Sequence, residues 1–177
     1  MVPTPTEPIQ FARLSDGIIV IRVVGKGTHL QSPALRHVFE QTRDSVPPPR
    51  YVIDLAECSS MDSTFMGTLA SIGLFQRNRA GSSTILVNIS EHVRHLLNTL
   101  GLKHILELRA HGEGSPLSPE EFTPATAPQI NALDRIVMMI EAHEQLLDIN
   151  SQNEVKFEGV LKSLRQSLER EKNRSQT

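Results

Sequence analysis

The chain of 177 residues has no tryptophan, one tyrosine and six phenylalanines. So few rings make a poor stacking platform for single-stranded nucleic acid. A dominant charge sign is lacking too. Lys and Arg number 18 against 20 Asp and Glu, for a formal net charge of −2, so there is no global electrostatic case for a nucleic-acid partner. Cys58 is the only cysteine. That excludes an internal disulfide and suits a reducing compartment. No catalytic Cys/His context surrounds Cys58, so a buried thiol is the expectation. No apolar run approaches the roughly 18 residues that a membrane span needs. The opening residues, MVPTPTEPIQ, lack the basic and apolar regions of a signal peptide. Residues 1–8 read as a frayed tail, and the protein as cytoplasmic.

What is present suffices for one core, with part of the chain outside it: 38% of residues are apolar and 21% charged. Residues 11–25, FARLSDGIIVIRVVG, read as a hairpin turning at SDG, with a largely β-branched second strand that Gly25 and Gly27 break. PALRHVFEQTRDS reads as a helix capped by Ser32, with Pro33 at its first position and Leu35, Val38 and Phe39 buried. YVIDLA is a short, continuously apolar strand. A helix runs from the stretch after it to about Arg79, then STILVNI is a strand. Ser90 caps EHVRHLLNTLG, which Gly101 stops, and HILEL is a last strand. The order β-β-α-β-α-β-α-β implies an α/β fold with a mixed, largely parallel sheet covered by helices.

Residues 110–128 hold four Pro and two Gly among small polar residues and read as a linker. Residues 129–173 hold one Gly and no Pro. Leu133, Ile136, Ile140, His143, Leu147, Asn150, Glu154, Phe157, Leu161, Leu164 and Leu168 alternate steps of three and four, a heptad seam. Its middle is polar. A long coiled-coil-like helix that oligomerises through Leu133, Ile136, Ile140, Leu147, Phe157, Leu161, Leu164 and Leu168 is the favoured reading. A helical hairpin breaking near DINSQN is the alternative.

Most informative is AECSSMDSTFMGTLA, residues 56–70. Ser59 and Ser60 read as the turn leaving the strand. Asp62 or Ser63 would cap the helix by accepting a bond from one of its orphan N–H groups. That role does not need Ser63 and Thr64 as well as Asp62. The same helix end also tolerates an added anion, so a phosphate on Ser63 would alter the surface without breaking the fold. If Met66, Leu69, Ala70 and Gly73 face the sheet, then Phe65, Thr68, Ile72 and Phe75 form a second apolar stripe. Either a neighbouring helix covers that stripe or a partner docks on it. In the second case Phe65→Gly or Phe75→Ser would weaken partner binding more than it lowers stability.

VIDLAECSSMDSTFMGTL resembles the central signature of STAS domains, the anti-sigma factor antagonists, in which an apolar strand precedes Asp-Ser-Ser/Thr-Gly-Leu-Gly at the head of a helix. The resemblance spans roughly residues 9–109. It implies a non-catalytic regulatory module without cofactor, switched by phosphorylation of Ser63, with Thr64 as the neighbouring hydroxyl. The partner-binding set is then Asp62, Ser63, Thr64, Phe65, Thr68, Ile72 and Phe75. The implied partners are an anti-sigma factor serine kinase and a serine phosphatase. The same fold also serves as a constitutive scaffold or transport-ATPase partner. Phe65 stands where the pattern has Gly, placing a large ring beside Ser63.

Other candidates are thinner. His92 and His95 in HVRH lie three apart, but no carboxylate or thiol completes a metal site. Ser63 is not in a nucleophile elbow of the Gly-x-Ser-x-Gly type. His143 on the heptad seam is either a pH-sensitive register element or a residue accommodated in a helix pair.

Overall fold

In the computed structural model, residues 7–110 and 121–174 are described. Strands β1 (Ile9–Arg13) and β2 (Ile18–Val23) form the hairpin, paired from Ile9↔Val23 to Arg13↔Ile19. Its turn closes through Gly17, whose φ of +79° suits a residue without Cβ. The parallel strands β4 (Arg50–Asp54), β6 (Thr84–Ile89) and β7 (Leu106–Ala110) extend the sheet beyond β2. Tyr51, Ile53, Leu86 and Ile21 are buried at its centre.

Helices α1 (Ser32–Thr42) and α2 (Ser63–Ala80) pack on each other and on the sheet, and α3 (Glu91–Thr99) follows β6. Leu35, Val38 and Phe39 are buried as the helical period requires. Ser32 is not the cap of α1. That place is Gln31, and Ser32 lies in the first turn with its hydroxyl donated to the Thr28 carbonyl. Ser90 does cap α3, accepting from the Val93 N–H. Gly101, at φ +81°, ends the segment ahead of a 3-10 turn at Leu102–His104.

Three short strands add to the expected order. Gly25–Gly27 (β3) pairs in parallel with Cys58–Met61 (β5), so Ser59 and Ser60 belong to a strand, not to a turn. Thr123–Pro124 (β8) pairs with β1 at the sheet edge. The second half of the expected linker is thereby strapped to the sheet, with Ala125 buried. Residues 111–120 of that linker, and 1–6 of the expected tail, lie outside the described residues.

The C-terminal segment is two helices, α4 (Ala132–Ile149) and α5 (Gln152–Arg174), packed on each other as a hairpin. α5 is the long helix of the chain, but one continuous helix over 129–173 does not form. Asn150 leaves the helix with extended backbone (φ −150°, ψ 114°), and its side chain accepts from the Gln152 N–H. Asn and Ser favour such local bonds over helix propagation. Asn153, fully buried, donates to the carbonyls of Leu146 and Leu100 at 2.7 and 3.0 Å, pinning the turn to the end of α3. The seam therefore closes within the chain. Ile140, Phe157 and Leu161 are buried, and Leu133, Ile136, Leu147, Leu164 and Leu168 are half-buried. Of the eight residues expected to oligomerise, the hairpin buries three within the chain and leaves the other five partly exposed.

Candidate functional site

The site is built around the start of α2. Pairing of β3 with β5 brings Gly27 beside Met61, and the Asp62 N–H donates to the Gly27 carbonyl at 2.9 Å. Asp62 thus enters the helix extended, as an N-cap must, and one carboxylate oxygen accepts from the Phe65 N–H at 2.9 Å. The other accepts from the His29 N–H at 2.8 Å and lies 3.3 Å from the His29 ring nitrogen. Asp62 rather than Ser63 is the cap. It also ties the loop before α1 to the head of α2.

Ser63 is the first residue of α2, half-buried, and its hydroxyl is not consumed by capping. Its Oγ lies 2.8 Å from Nε2 of His143, on α4, 80 positions away in sequence. His143 is 2% exposed, and its Nδ1 is 2.7 Å from the Met139 carbonyl. A carbonyl only accepts, so Nδ1 carries the proton; in the neutral ring Nε2 then accepts, and Ser63 is the donor. Phe157 of α5 meets the imidazole edge-on, with centroids 4.9 Å apart. This couples a hydroxyl to a base, but none of the cavities among the described residues is lined by Ser63 or His143.

The remaining residues of the expected docking set lie mostly inside. Thr64 is 2% exposed, so Ser63 is the accessible member of the hydroxyl pair. Phe65 and Ile72 have no exposed surface, and Thr68 is buried with its hydroxyl donated to the Thr64 carbonyl. The Phe65 ring packs over β3: a Cβ at Gly27 would fall 2.6 Å from it, so the ring takes space that only glycine leaves. Phe75 is half-buried, edge-on to Phe39 at 5.0 Å and flanked by the Arg43 and Arg79 guanidinium groups at 5.8 and 5.7 Å. Phe65, Thr68 and Ile72 of the second stripe of α2 are therefore buried by packing within the chain, and Phe75 is the member that keeps exposed surface.

Cys58 is buried, which pushes its thiol above the usual range, and its Sγ donates to the Ser60 carbonyl. A neutral, enclosed thiol is a poor nucleophile. His92 and His95 are exposed on α3, and no group of three metal-ligating side chains occurs among the described residues. Sequence reasoning missed His29, which belongs to no motif. It also missed His143 as a partner of Ser63; its signal was a polar residue interrupting an apolar seam.

Solved structures of similar fold include a putative anti-sigma factor antagonist from Thermotoga maritima, 16% identical, covering 58% of this chain and 86% of that one at a TM-score of 0.51. The anti-sigma factor antagonist SpoIIAA in its unphosphorylated form is 18% identical, covering 59% of this chain and 90% of its own at a TM-score of 0.50. At such identities the likeness is one of fold. A comparison with curated proteins finds no match. The STAS domain profile matches residues 12–113, from the end of β1 to just past β7. With that match, the sheet order and Asp62–Ser63 at the head of α2, the chain belongs to the STAS domain family.

Proposed function

We propose that this protein is a non-catalytic regulatory module that binds an anti-sigma factor serine kinase while Ser63 is unmodified and releases it once Ser63 is phosphorylated. A serine phosphatase would reset it. The observation that carries this reading is the placement of Ser63. It is the first residue of α2, behind a cap that Asp62 already supplies, with a hydroxyl not needed to hold the helix. The N–H groups of the first turn tolerate an anion. A phosphate adds about −1.5 to −2 charge beside Asp62, so the surface becomes sharply more negative while the helix survives. The test is incubation with an anti-sigma-type serine kinase and ATP, with the modified residue mapped by mass spectrometry. Ser63 should be the site, and Ser63→Asp should bind that kinase more weakly than Ser63→Ala. Clean modification elsewhere, with Ser63 untouched, counts against the assignment.

A second reading is a constitutive scaffold of the same fold, in an oligomeric signalling assembly or beside a transport ATPase. The bond from Ser63 to His143 favours it, because the hydroxyl is already engaged. Equal affinity of Ser63→Ala and Ser63→Asp for the partner would decide for the scaffold.

A further inference from the structure

We propose that the α4–α5 hairpin is an intramolecular lid, latched by His143, that shuts the Ser63 face against kinase and partner alike. The lid is a matter of packing; its regulatory meaning rests on Ser63 being the switch hydroxyl.

Four observations converge. First, α4 lies directly on α2. A methyl group at Gly67 would overlap the Ala142 carbonyl, so the two helices approach as closely as backbones allow. Second, the line of α2 nearest α4 is made of small residues, although Ile140 and Leu146 of α4 join the buried core cluster of the domain. That line presents Ser63, Gly67 and Ser71 at steps of four, and Ser71 is satisfied inside its own helix by the Gly67 carbonyl at 3.1 Å. On the α2 side, lifting α4 exposes small and polar groups along that line; the apolar cost falls on the hairpin's own buried residues, such as Ile140 and Leu146. Of those three, Ser63 is the one whose hydroxyl is bonded to α4.

Third, His143 is almost wholly enclosed and stands 2.8 Å from the Ser63 oxygen. Phosphorylation replaces the hydroxyl proton that Ser63 donates to Nε2, so modification breaks this latch. Fourth, the rim contacts are the kind that open readily. Arg36 to Glu141 is an exposed ion pair, individually weak, and Lys156 to the Thr99 carbonyl is an exposed hydrogen bond; the buried bond from Asn153 to the Leu100 carbonyl holds only the far, turn end of the hairpin. The chain between Ala125, held at the sheet edge, and Asn131, the cap of α4, has no helix or strand and can serve as the hinge. A partner that docks at the head of α2 must displace the hairpin, which makes the lid a built-in competitor.

Two full-length variants test this. Gly67→Ala wedges the helices apart while raising the helix propensity of α2; His143→Ala removes the latch. Hydrogen-exchange mass spectrometry should show faster exchange in α4, α5 and the first turn of α2, with β2, β4 and β6 still protected. Access to position 63 is read with Ellman's reagent on Ser63→Cys, with buried Cys58 as the slow background. Adding Gly67→Ala should speed labelling by about tenfold or more, the scale expected from overpacking by one methyl. Unchanged protection of α4 and α5 in both variants overturns the lid. So does loss of protection throughout the sheet, because the hairpin would then be part of one cooperative core. No kinase is needed for these readouts. If Gly67→Ala opens the lid yet an anti-sigma-type serine kinase with ATP still leaves Ser63 unmodified, the phosphoswitch fails and the lid stands.

Discussion

Phe65 shows how much one side chain decides at the head of α2. Its ring fills the space that Gly27 leaves and has no exposed surface. Truncating such a ring removes buried apolar area and leaves a cavity. Phe65→Ala should therefore lower unfolding stability by about 3–5 kcal/mol, read as a shift of the urea midpoint. This reverses the order expected from sequence, in which partner binding suffers more than stability. An unchanged midpoint with weakened partner binding would restore a docking role for the ring. The Gly-to-Phe departure was plain in the sequence. Its direction was not, because the glycine that receives the ring lies 38 positions earlier, on a strand that only pairing with β5 creates.

Among the elements, α5 is the least embedded. Of its residues, Asn153, Phe157 and Leu161 are buried, and most of the rest faces solvent. Its hold on the domain is concentrated at the turn, where Asn153 serves two buried carbonyls from different helices. Removing that amide strands the Leu100 carbonyl and leaves the Leu146 carbonyl only its long 3.4 Å bond from the Asn150 N–H. Asn153→Ala should cost about 1–3 kcal/mol, the desolvation penalty of unpaired buried groups. The loss should be local: amide exchange in α5 accelerates while β2 and β4 stay protected. Equal protection everywhere would mean that apolar contacts alone hold the turn. The heptad spacing was legible and its helices exist. What it left open was the identity of the opposing helix. Steps of three and four are satisfied equally by a second chain or by the same chain folded back, and the DINSQN interruption decides for the latter through groups that bond locally.

At the scale of the molecule, two buried acids respond to alkali together. Burial pushes the Cys58 thiol up from its ordinary 9.0 and the Tyr51 phenol up from 10.0. Both folded values lie above the unfolded ones. Their contribution is complete below the unfolded values and is lost as pH rises through the folded ones, because the unfolded chain gives up protons that the fold retains. Urea midpoints should be flat near neutrality and fall from about pH 9 upward. In Cys58→Ala the fall should begin about one pH unit later. A decline starting at the same pH in that variant would exclude the thiol as its cause.

The sequence by itself determined what is local. The Asp62 and Ser90 caps each act across three residues. The hairpin turn at Gly17, the alternation of strand and helix, and the heptad step also lie within a few positions of their own signals. Tertiary structure decided which surface meets which: β3 with β5, β8 on the sheet edge, Phe65 over Gly27, and α4 on α2. The bond between Ser63 and His143 spans 80 positions and follows from that last contact. An apolar pattern says that a face will be buried and is silent on its cover, because hydrophobic attraction has no direction. The cover of α2 was settled by shape, where a glycine and an alanine let two backbones meet.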